Sequence, residues 1–147
     1  MSVSVKKNGA HMLLKIKVKT PHQGLHSITK TIAAEISKRS TSDGLCTLFL
    51  QHTSASLLIQ ESYDDSARRD LESWLNRLVP EDDSIYTHTL EGPDDMPAHI
   101  KAMLNATQIS IPFASGKLLL GTWQGIYLWE HRYSEANRNI ILHLSID

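Results

Sequence analysis

From residue 12 the chain alternates. Leu14, Ile16 and Val18 fall on one side, and Lys15, Lys17 and Lys19 on the other. This is the period-two pattern of a half-buried strand, over 12–19. Thr20-Pro21-His22-Gln23-Gly24 reads as a turn. Leu25, Ile28, Ile32, Ala33 and Ile36 then recur at helical spacing opposite Thr29, Lys30 and Lys38, which predicts an amphipathic helix to about Arg39. The apolar run 45–50 suits a central strand. Residues 54–60 pair with it or extend it beyond a bend at His52-Thr53. Asp64-Asp65-Ser66 opens a second helix, its acids at the positive end of the dipole. Its stripe is Ala67, Leu71, Trp74, Leu75 and Leu78, and Pro80 closes it.

Residues 85–90 read as a strand with Tyr86, His88 and Leu90 on one covered face. A short helix over 97–105 packs Ile100, Met103 and Leu104 inwards, with Pro97 tolerated in its first turn. Four strands follow, over 108–113, 117–121, 125–130 and 138–146, the first two joined tightly at Ser115-Gly116. Two or three helices among many short strands predict a single compact α+β domain over 13–147, with largely antiparallel sheets, behind a flexible N-terminal tail, 1–12.

Composition narrows the classes. At 147 residues and 41% hydrophobic content the chain supports a core without disulfides. A formal net charge of −1 leaves no basic footprint for nucleic acid. The single cysteine, Cys46, lies in an apolar run and reads as a small core residue in a reducing compartment. No apolar stretch resembles a signal peptide or approaches the ~20 residues of a membrane span. The expectation is a cytoplasmic protein with a small-molecule substrate.

The chemistry gathers around histidines in polar motifs. His52, His88 and His99, if they converge, offer three nitrogen ligands and an open position to a catalytic zinc or another divalent metal. Each also has an ordinary structural reading: His52 as a strand-end residue, His88 as a buried hydrogen-bonded ring, His99 as a surface helix residue. Glu61 or Asp70 would serve as general base. Asp95, four residues before His99, would orient an imidazole or hold Mg²⁺ on a diphosphate substrate. Thr53 and Ser54 offer hydroxyls to phosphate oxygens. Trp123 and Gln124, bracketed by Gly121 and Gly125, would stack on a planar heterocycle and hydrogen-bond it; a core tryptophan at a sheet kink is the alternative. Arg132 and Arg138 are read as phosphate holders or exposed strand-end charges.

Taken together, Gln51-His-Thr-Ser-Ala-Ser56, Asp94-Asp-Met-Pro-Ala-His-Ile100 and Gly121-Thr-Trp-Gln-Gly-Ile126 resemble the YjbQ-like family, whose members carry the label secondary thiamine-phosphate synthase. The resemblance runs from about Leu13 onwards. It implies an α+β homotrimer with His52, His88 and His99 in a polar pocket near a subunit boundary, and Glu61, Asp70 and Asp95 close by. It implies a weak transferase joining hydroxymethylpyrimidine diphosphate to thiazole phosphate, with His88 and the carboxylates catalytic. A metal-dependent hydrolase and a non-enzymatic ligand-binding trimer are the competing readings. Many relatives have alanine or cysteine where this chain has Tyr63, so a mechanism using a cysteine there fails here.

Overall fold

The computed structural model describes residues 11–147. Most of the expected tail lies outside the described residues, and its last two positions, His11 and Met12, already belong to the first strand. The elements run β1 (His11–Thr20), β2 (Gly24–Ser27), α1 (Thr29–Ser37), β3 (Gly44–Leu50), β4 (Ala55–Glu61), α2 (Asp65–Leu78), α3 (Asp95–Leu104), β5 (Gln108–Ala114), β6 (Lys117–Leu118), β7 (Gln124–Glu130) and β8 (Ala136–Ile146). All strand pairs are antiparallel. One sheet has the order β1-β8-β3-β5-β6 and the other β2-β7-β4.

The alternation of β1 builds the first layer: Leu14 and Ile16 point into the main core while the lysines between them stay outside. Cys46, Leu48 and Leu50 of β3 and Ile140, Leu142 and Leu144 of β8 join them. Burial pushes the Cys46 thiol up to about 12, so it stays a protonated core residue. Facing this sheet across the core are Leu57 of β4, Ile126 and Leu128 of β7, and Ile32 and Ile36 of α1. β7 is central in its own sheet and buried from Gly125 to Glu130. Its even residues enter the main core, whereas Trp129 packs on the other side with Leu75 and Val79 from α2 and its end. A strand covered on both faces reads as a continuous apolar run, which is why Ile126-Tyr-Leu-Trp129 shows no alternation. The resulting order of layers is five-stranded sheet, three-stranded sheet, α2 with α3.

Several expectations need correction. Residues 24–27 form an edge strand on β7, and the helix starts only at Thr29; Leu25 faces α2 in place of the α1 stripe. β4 neither pairs with β3 nor extends it, but crosses to the other sheet beside β7. Residues 85–90 form no strand: Ile85 and Leu90 are exposed, and Tyr86 bonds back to the Pro80 carbonyl through its hydroxyl. α3 buries Asp95, Ala98 and Lys101, leaving Met103 and Leu104 exposed. Lys101 can face inwards because Nζ donates to Asn76 Oδ1 at 2.6 Å. The hairpin at Ser115-Gly116 forms as expected, both residues with positive φ.

Candidate metal centre

α3 begins at a chain reversal. Gly92 takes φ +102°, a conformation strained for any side chain. The reversal places Asp94 and Asp95 at the start of the helix, both buried. His99 lies one turn beyond Asp95 and projects from the same face. His88 arrives from the loop ahead of the helix, its side chain 47% exposed.

Asp95 divides its two oxygens between unlike partners. Oδ1 accepts from Arg132 Nη1, while Oδ2 faces His88 Nε2 at 2.7 Å and His99 Nε2 at 3.1 Å. Arg132 also donates from Nε to Asp94 Oδ2 (3.0 Å) and from Nη2 to the Glu91 carbonyl (2.7 Å). The Tyr133 N–H donates to the same Asp94 oxygen at 2.9 Å. One guanidinium thus ties the reversal, the helix start and the chain leaving β7. Burial alone would raise the Asp95 pKa. The His88 hydrogen bond, the His99 and Arg132 charges and the His99 hydrogen bond outweigh it and hold the carboxyl below its ordinary range.

Proton placement decides what this arrangement can hold. His99 Nδ1 lies 2.9 Å from the Thr53 carbonyl oxygen, which only accepts, so Nδ1 carries a proton. In a neutral ring Nε2 then turns a lone pair towards Asp95 Oδ2. Two acceptors face each other there unless the ring takes a second proton or a cation lies between them. One donor atom each from His88, Asp95 and His99 lies within 4.8 Å of the others. Donors around a tetrahedral zinc stand about 3.3 Å apart for bonds near 2.0–2.1 Å, so small side-chain shifts admit one. Two imidazoles and a carboxylate suit zinc or a similar divalent ion with an open position.

The structure brings three of the predicted residues together: His88, His99 and Asp95. His52 is not among them. Its Nε2 accepts the Asn139 backbone N–H at 2.7 Å, so the lone pair a metal would need is already engaged. Burial, then the Arg138 charge, lowers its pKa and keeps the ring neutral. Asp95 takes the place in the set that was expected of His52. Thr53 takes part through its carbonyl, and Ser54 likewise accepts through its carbonyl, from the His131 N–H and Arg138 Nη2. Glu61 pairs with Gln124, while Ala55 pairs with Glu130 beside the centre. Six strand residues, about 20 Å, separate the two ends. Glu61, Trp123 and Gln124 therefore sit far from the histidines within one chain. Trp123 is exposed and meets Tyr63 edge-on, their ring centres 5.1 Å apart, and the Gln124 amide oxygen accepts from Gly121 N. Asp70 lies on α2 in a hollow with Ser73, Trp74 and Arg77.

Other groups were missed or misread. Arg132 is no free strand-end charge, because each of its three nitrogens donates to Asp94, Asp95 or the Glu91 carbonyl. Arg138 pairs with fully buried Glu130, which also accepts from Thr20 Oγ1 at 2.6 Å and joins β1, β7 and β8. His131 Nε2 meets Ser56 Oγ at 2.8 Å, inside the fold. Burial first, then the Lys101 and Arg138 charges, lower its pKa to about 3. Glu130-His-Arg132 reads in sequence as a charged strand end. Only the position of β7 between two layers reveals that its end is buried.

Relatives share this framework. A family model described as UPF0047 protein YjbQ-like matches residues 14–147. A UPF0047 protein of Synechocystis is 46% identical over 128 residues, covering 87% of each chain. The UPF0047 protein YjbQ of Escherichia coli O157:H7 is 42% identical over 123 residues, 83% of this chain and 88% of that one. Among solved structures, an uncharacterized conserved protein of the YjbQ/UPF0047 family from Clostridium acetobutylicum superposes with a TM-score of 0.80 at 32% identity, over 89% of this chain and 98% of that one. A conserved hypothetical protein from Thermus thermophilus gives 0.78 at 31% identity, over 88% and 97%. By fold, by motif and by overall sequence, the chain belongs to the YjbQ-like UPF0047 family.

Proposed function

We propose that the protein is a metal-dependent enzyme whose centre is His88, Asp95 and His99, and that it hydrolyses a small compound. The observation that carries this is the contact of His99 Nδ1 with the Thr53 carbonyl. In a neutral ring that contact holds the proton on Nδ1 and leaves Nε2 aimed at a carboxylate with a lone pair. A divalent ion held there supplies Lewis acidity to a water or a substrate oxygen. The chain's own residues do the rest. Thr53 fixes the His99 ring, Arg132 fixes Asp95, and exposed His88 marks the side open to substrate. Elemental mass spectrometry of the purified protein tests this. About one zinc-class metal per chain is expected, lost in His88→Ala and His99→Ala and kept in His52→Ala. Metal retained after His99→Ala would sink the reading.

A second reading follows from the resemblance: weak coupling of hydroxymethylpyrimidine diphosphate to thiazole phosphate, with Mg²⁺ brought in on the diphosphate. In its favour, a carboxylate with two imidazoles accepts a cation that also takes diphosphate oxygens. Against it, Arg132 and Lys101, the cationic side chains at α3, are bound to Asp94, Asp95 and Asn76. Direct assay of thiamine phosphate formation by metal-loaded protein separates the two readings.

A further inference from the structure

Beside the centre, a groove of about 480 Å³ opens between the end of β3 and the outer side of α3. His99 forms part of its wall, so the ring that faces Asp95 also borders this space. Phe49, Leu50, Ala102 and Met103 give it an apolar surface. Phe49 and Met103 are exposed, 45% and 73%. Gln51, Thr53 and Thr107 add neutral polar groups, and His52, its Nε2 engaged by Asn139, completes the lining. The size is that of a small-ligand site. No lysine, arginine or carboxylate lines it. Away from the centre itself, a phosphate seated along these residues would gain no cation or charged donor from the lining.

We propose that this groove is the substrate subsite of the centre and that it selects a molecule whose groove-bound portion is flat, apolar and uncharged, such as a neutral ester or amide, against compounds phosphorylated on that portion. The proposal rests on the metal-centre reading and names its substrate class. The apolar body would lie along Phe49 and Met103, with Gln51, Thr53 and Thr107 orienting a polar edge. The reacting bond would then reach the His99 end of the groove. Hydrolysis there is balanced: water adds to the acyl carbon, the bond from acyl carbon to the leaving oxygen or nitrogen breaks, and the leaving group takes a proton from that water.

The test uses benzyl alcohol and benzyl phosphate, which share the apolar portion and differ by a phosphoryl group, titrated into protein stripped of metal by a chelator and labelled at the methionine methyl carbons. Benzyl alcohol is expected to shift the Met103 methyl resonance saturably and leave that of Met12, on β1, unmoved. Benzyl phosphate is expected to bind roughly tenfold more weakly or worse. Ala102→Phe, which fills the groove, should abolish the shift while keeping metal content. Thr107→Trp, at an exposed position, does the same service if the first variant fails to fold. Equal or tighter binding of benzyl phosphate overturns the proposal, as does a metal-binding protein whose Met103 signal ignores benzyl alcohol. Saturable shifts in a protein that never binds metal would instead sink the metal reading and leave the groove as a neutral-ligand site.

Discussion

Asp95 holds its place only because Arg132 takes one of its oxygens and leaves the other for the imidazoles. Replacing Arg132 with methionine removes the partner of two buried carboxylates at once. Such outer partners change metal affinity about 10- to 100-fold, and a loss in that range is expected by competition with a chelator. A second residue-scale prediction concerns His131. Its folded pKa is about 3 against an ordinary 6.5, so between those values the unfolded chain binds the extra proton. Stability from this group is therefore complete above pH 6.5 and lost as pH falls towards 3. From pH 7 to pH 5 the loss is about 2 kcal/mol. His131→Gln should flatten that part of a melting-temperature profile; an unchanged slope would show that other groups set it. At this scale the histidine motifs exposed the chemistry but not its assembly. Asp95 and His99 were legible as neighbours four residues apart, but the expected helix began at Pro97, and only the observed start at Asp95 puts both on one helical face. His52 lies in an equally suggestive motif, yet the Asn139 amide that occupies it comes from β8, 87 positions away. No local pattern encodes that contact.

Between elements, α2 meets the edge of its sheet through one bond: Glu72 Oε1 accepts the Leu25 N–H of β2 at 2.7 Å. The carboxylate satisfies a donor that an edge strand otherwise leaves to water. Glu72→Ala should cost about 1.5–3 kcal/mol in chemical denaturation, while Glu72→Gln, which keeps an acceptor, should cost much less. Equal losses in the two variants would show that packing of the side-chain stem matters more than the bond. The strands over 45–50, 108–113 and 138–146 were legible from alternation and apolar runs. The start of α2 was legible from Asp64, whose side chain accepts from the Ser66 N–H at 2.9 Å. Misreadings occurred where local pattern and tertiary place disagree. Leu25 and Ile28 have helical spacing, but β7 captures the segment from 24 to 27 as a strand. Tyr86, His88 and Leu90 alternate as a strand would, but the chain there folds back on Pro80 and meets no sheet.

For the whole molecule, the outer face of the five-stranded sheet carries Leu13 and Leu45, each more than 40% exposed, on either side of β8. Trp74 and Leu78 are similarly open on α2. Exposed apolar side chains of this kind suit subunit contacts. We expect the homotrimer that the family resemblance implies: light scattering should give three times the 16.5 kDa chain mass, and Leu45→Glu should lower it. A monomer at micromolar concentration would remove the expectation of a pocket near a subunit boundary. Among the described residues no helix is long and apolar enough to cross a membrane.

The bond from His99 to the Thr53 carbonyl has a consequence for how such a centre drifts or is redesigned. The atom that sets the imidazole's protonation belongs to the main chain, so every residue type at position 53 supplies it. Mutation there can alter what the groove admits without disturbing the ligand's tautomer. Ligand binding and substrate choice can then be varied separately at adjoining atoms of a single residue. Only an insertion or deletion that displaces the bend between β3 and β4 would couple them again.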